Sequence, residues 1–120
     1  MTETFPDILR HAGIAREAVR AMNHVAPVVM PAPGVYDVLA ELKGLGYLLP
    51  DALDKISIGL HRSLSEFDIS EHDGADPVER NALARIHLAK AAKLAGLMGD
   101  ELEAAQAAIA RQGYSKGQAT

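Results

Sequence analysis

From Pro77 to Gln112 the chain runs for 36 residues with nothing that breaks a helix except Gly96 and Gly99, both tolerable inside one. Along it Ala84, Leu88, Ala91, Ala95, Met98, Leu102, Ala105 and Ile109 alternate four- and three-residue steps without a slip. That spacing predicts an apolar heptad seam, small at one position and mostly larger at the other, suited to close approach of another helix. A second set, Leu83, Ile86, Leu94 and Leu97, points elsewhere. The N-terminal half of this helix is therefore expected to be covered on two sides. Its length constrains the fold further, because 36 helical residues span roughly 54 Å. A compact globule of this chain length is only roughly 35 Å across. Such a helix would overhang it, which predicts a second chain over the seam.

The start of this helix lies in "EHDGADPVER" at 71–80. Asp76 is a preferred N-cap, Pro77 suits the first helical position, and Glu79 completes a pattern like a capping box. The same acids suit the positive end of the helix dipole. His72, Asp73 and Asp76 carry metal-ligating groups, but a solvated acidic loop at 68–76 is the better account. The acids between Ser63 and Glu79 do not follow the order of a calcium loop. Gly113 stands where a C-terminal cap belongs, leaving 113–120 as a flexible tail.

The remaining chain reads as three shorter helices. The first, 6–22, opens on Pro6 and places Ile8, Leu9, Ala12, Ala15, Val19 and Met22 on the helical period. A Pro-rich linker follows at 23–34. The second helix, 35–45, is ended by Gly44 or Gly46. The third, 50–67, carries Leu49, Leu53, Ile56, Leu60, Leu64 and Phe67 as one continuous seam. The expected fold is all-α in a single domain over 1–120. Helices 50–67 and 77–112 form a long hairpin, two shorter N-terminal helices pack across it, and a homodimer completes a helical bundle. Composition agrees: there are only two Phe, three Tyr and no Trp, so the apolar stock is aliphatic and rich in alanine, the best helix former.

The absence of cysteine excludes a disulfide framework, a thiol nucleophile and thiolate-bound zinc. Met1 to Arg20 has no apolar core of a signal peptide, and no run reaches the roughly 18 apolar residues of a membrane span. A cytoplasmic location is expected, without membrane association. The net charge of −4 argues against general binding to a phosphate backbone, so nucleic acid is not an expected partner.

None of the five histidines, His11, His24, His61, His72 and His87, forms a zinc-protease pair four residues apart. None of the serines stands in a Gly-x-Ser-x-Gly elbow, and no phosphate-cradling Gly-Lys-Ser/Thr loop occurs. No enzyme activity, cofactor or metal is expected. The stretch 38–64 could be a helix-turn-helix, but its second helix opens on Asp51 and Asp54 and offers only Lys55, His61 and Arg62. A groove-reading helix would be more basic.

Residues 38–114 resemble small Ala-rich helical proteins of unassigned function from actinobacteria, often associated with mobile elements. The resemblance rests on the Leu-rich helix 49–67, the loop "EHDGADP" and the Ala-rich stretch 85–114 ending in "AQAAIARQGY". It implies no catalytic residues. The helix–loop–helix outline is also similar to the secreted helical hairpins of type VII systems. Their Trp-x-Gly turn is absent, and Tyr114 is followed by Ser115, Lys116, Gly117 and Gln118 without the acidic residue of their export signal. The expected function is non-enzymatic, a helical protein-interaction or structural role with a second copy or another helical protein. The alternatives are a small DNA-associated regulator of a mobile element and an exported hairpin.

Overall fold

The computed structural model describes residues 5–113, and these form three α-helices: α1 (Phe5–Val25), α2 (Ala32–Glu66) and α3 (Pro77–Ala108). No strand occurs among the described residues. The expected tail beyond Gly113 lies outside them. They divide into two compact units, the first ending at Met30 and the second beginning at Pro31.

The first unit is α1 and the extended segment after it. Surface ion pairs support this helix, Arg10 with Asp7 at 4.0 Å and Arg20 with Glu17 at 3.6 Å, both three residues apart. Its apolar residues Ile8, Leu9, Val19 and Met22 are exposed, and α1 holds no buried residue.

The second unit is the hairpin of α2 and α3. The break expected between 45 and 50 is absent: the helices expected at 35–45 and 50–67 are one helix of 35 residues. Two short N-terminal helices are thus not present, because the second of them is the beginning of α2. Pro31 caps that helix, Pro33 falls in its first turn where a missing N–H costs nothing, and Pro50 lies inside it. Pro50 removes the N–H that would bond the Gly46 carbonyl, a loss of about 3 kcal/mol in an unsupported helix. Here α3 lies along both halves. At one end the Gln106 side-chain amide donates to the Tyr36 carbonyl at 3.3 Å, and at the other Asn81 donates to the Leu60 carbonyl at 3.4 Å. Partner numbers rise along one helix as they fall along the other, so the two run antiparallel.

Between them Phe67 and the loop reverse the chain. The Gly74 N–H bonds the Glu71 carbonyl at 3.2 Å and Gly74 takes a φ of +79°, the left-handed region where glycine carries no steric cost. Asp73 accepts from the Ala75 N–H at 3.0 Å and from Arg80 at 2.8 Å. Asp76 stands at the N-cap of α3, its carboxylate accepting the Val78 N–H at 3.0 Å. Glu79 sits in the first turn, and Pro77 at the first position. At its far end α3 stops at Ala108 and not at Gln112. Ile109 is the C-cap, and the chain tightens through bonds from Ile109 to Gln106 and from Ala110 to Ala107.

Candidate interaction surface

The seam between α2 and α3 is built at its centre from residues too small to keep the helices apart. A methyl group on Gly46 would stand 2.7 Å from the Gly99 nitrogen, 2.8 Å from its Cα and 2.9 Å from the Ala95 carbonyl oxygen. Backbone meets backbone there. Gly46, Ala95, Gly99 and Gln106 are the buried residues among those described, and no large side chain is fully buried. Of the heptad positions read from the sequence, Ala84, Leu88, Ala91, Leu102 and Ile109 are half-buried and Ala95 is buried. Met98 and Ala105 face out, and Gly99 and Gln106 take their places. In the described chain the cover over this seam is α2. The overhang inferred from helix length disappears because α2 matches α3 in length.

On one side of the seam the hairpin is polar. The Tyr47 hydroxyl donates to Asp100 Oδ1 at 2.8 Å and lies 3.2 Å from Glu103 Oε1, with Lys43 Nζ 3.8 Å from the same Glu103 oxygen. The bond to Asp100 and the two nearby carboxylates push the Tyr47 phenol up to about 12, because ionising it would add a third negative charge. Its ring lies against Gly99, where a methyl would come within 2.8 Å of two ring carbons. Nearer the loop, Arg85 Nε donates to Ser57 Oγ at 3.0 Å. A depression of about 50 Å³ opens between, lined by Leu53, Asp54, Ser57, Leu88, Ala89 and Ala92. Small-molecule sites occupy roughly 300–1,000 Å³. This one has room for little more than a water.

The opposite flank is apolar. About a quarter-turn from the packed face of α2, the helical period places Val38, Leu45, Leu49 and Ile56 in one row, each 41–44% exposed. Toward the same flank, α3 presents Met98 at 43% and Leu94 at 65% exposure. Further round α3, Leu83, Ile86 and Leu97 extend the apolar surface, each about half exposed. The second apolar set on α3 is therefore bare. Both helices carry a second apolar face, turned to one side of the hairpin.

No protein-family model, curated protein or solved structure matches the chain. His72, Asp73 and Asp76 do not converge on one point with a third acid or histidine. No group of three or more metal-ligating side chains comes together among the described residues. Both aspartates are engaged locally, in the loop and the cap. The stretch considered as a helix-turn-helix has no turn, since 38–64 lies wholly within α2. No helix among the described residues is long and apolar enough to cross a membrane. Sequence reasoning missed Gly46, Gly99, Gln106 and the Tyr47 cluster. The only signal for the first two was a pair of glycines inside otherwise helical patterns.

Proposed function

We propose that this chain is a non-enzymatic protein-interaction or structural protein whose hairpin is half of a helical bundle. The observation that carries this reading is the row Val38, Leu45, Leu49, Ile56 beside Leu94 and Met98, apolar and exposed on one flank. Contiguous apolar surface of this extent marks an interaction site. Two helices whose spare apolar faces turn to the same side are what a bundle of four presents when divided in two. The partner on this reading is helical, and it closes a dry core that one hairpin lacks.

Leu49→Glu tests it. A charge at the middle of the row has to be desolvated when the flank is covered, and is harmless when it is not. In extracts of the native host, the wild-type chain should elute in an assembly larger than one chain, and Leu49→Glu should release it. If the variant keeps the size and thermal stability of the wild type, the flank is not a covered surface and the reading fails.

A further inference from the structure

We infer that the occupant of the apolar flank is a second copy of this chain, placed by a twofold axis passing level with the crossing of Gly46 and Gly99. This rests on the interaction reading above and names its partner. The evidence is a symmetry within each stripe. On α2, Leu45 and Leu49 lie two residues either side of position 47, and Val38 and Ile56 nine residues either side of it. On the outer stripe of α3, Leu94 and Leu97 flank a centre between residues 95 and 96, and Lys90 and Glu101 stand farther out at equal distance from it. An antiparallel copy of α3 centred there would set Leu94 against Leu97 of its mate and Lys90 against Glu101.

That arrangement is complementary in charge. Lys90 and Glu101 are exposed, neither forms an ion pair among the described residues, and they are the charged positions on a stripe that is otherwise Leu83, Ile86, Leu94 and Leu97. At eleven residues apart on one helix they cannot reach each other, since that separation is roughly 16 Å. In a twofold pair each meets its opposite, twice.

The two stripes are also centred at one height. Gly46 sits against Ala95 and Gly99, so position 47 of α2 is level, to about one residue or roughly 1.5 Å, with the point between residues 95 and 96 about which Leu94, Leu97, Lys90 and Glu101 are paired. One axis perpendicular to the helices can place α2 on its copy and α3 on its copy only when both centres coincide in this way. A partner of unrelated sequence would require neither condition. The area is sufficient. The stripes run about 27 Å along α2, from Val38 to Ile56, and about 27 Å along α3, from Leu83 to Glu101, over a width of roughly 20 Å for two helices. Each copy then contributes roughly 540 Å², about 1,100 Å² in all, which is above the roughly 1,000 Å² that a specific interface has to clear.

Charge reversal tests the register. Lysine and glutamate have similar helix propensity, so at concentrations where they remain dimeric Lys90→Glu and Glu101→Lys should each keep the helical circular dichroism of the wild type. Each alone sets like charges against each other at both ends of the interface. Its dimerisation constant by sedimentation equilibrium should weaken by about tenfold or more. Mixed in equal amounts, the two variants should associate with each other to within about threefold of the wild type, because every facing pair is again opposite in charge. Single reversals that leave dimerisation unchanged would overturn the twofold register. A wild-type chain that sediments as a monomer throughout would overturn self-association, and the interaction reading would then stand or fall separately on Leu49→Glu in the native extract.

Discussion

Gly46 and Gly99 are both short of space, but what crowds them differs. A methyl on Gly46 meets the backbone of α3, which cannot move without separating the helices. The atoms nearest a methyl on Gly99 all belong to the ring of Tyr47, a residue 42% exposed whose side chain can swing outward at the expense of its bond to Asp100. Alanine gains about 1 kcal/mol of helix propensity at either position, and overpacking costs about 1–3 kcal/mol where nothing yields. Gly46→Ala should therefore destabilise by up to about 2 kcal/mol once the propensity gain is set against the overpacking, and Gly99→Ala should fall within about 1 kcal/mol of the wild type. Gly59→Ala, where an added methyl meets nothing within 4 Å, should stabilise by about 0.5–1 kcal/mol. Urea melts rank the three, and a Gly46→Ala as stable as Gly59→Ala would refute the close crossing. Tyr47 carries a second prediction. Its pKa, raised to about 12 first by the bond to Asp100, means that the folded state favours the neutral phenol. That contribution to stability is complete below the ordinary tyrosine range near pH 10, and is lost as pH rises through about 12. Near-ultraviolet absorbance should show a late-ionising tyrosine that vanishes in Tyr47→Phe. An alkaline titration curve with the same late step in that variant would remove the assignment.

How an element begins was easier to read in this chain than how it continues. Asp76, Pro77 and Glu79 specify the start of α3 through chemistry contained in four residues, so no distant contact is needed to see it. The middle of α2 is the reverse. Gly44, Gly46 and Pro50 each weaken a helix locally, and local rules place a break there. What overrides them is α3 lying alongside, with Gly46 required to be small because the other backbone crosses it. A glycine that looks like a stop is in fact a contact point. The seam of α3 was misread at two positions for a related reason. Apolar periodicity counts Met98 and Ala105 and cannot count Gly99 or Gln106, yet the last two face α2. Gln106 belongs there because its amide reaches the Tyr36 carbonyl, which hydropathy does not register. The second stripe on α3 was legible, since Leu83, Ile86, Leu94 and Leu97 share a face on spacing alone. The Tyr47 cluster was not, because no pattern links position 47 to positions 100 and 103 until the hairpin closes.

At the scale of the whole chain the shortage is of core. Among the described residues Ala95 is the one buried hydrophobic side chain, and α1 contributes none. Isolated helices are marginal in water, and tertiary burial supplies most of the stability that helices have in proteins. Ordering a residue costs about 1–2 kcal/mol of backbone entropy, which half-exposed leucines on a two-helix seam offset only in part. The missing burial is available on the apolar flank, where six large side chains are each at least 41% exposed. Folding and association should therefore be one event, and the melting temperature should depend on protein concentration. For a dimer that unfolds directly to two chains, each tenfold rise in concentration adds about 1.4 kcal/mol. With an unfolding entropy near 2.1 cal/mol/K per residue over two chains, that corresponds to roughly 3 °C. Melts followed by circular dichroism over a hundredfold range should shift by roughly 6 °C and lose helix and association together. A sharp, cooperative melt at the same temperature throughout would show that one hairpin is stable without a partner, and that its exposed leucines do not need covering.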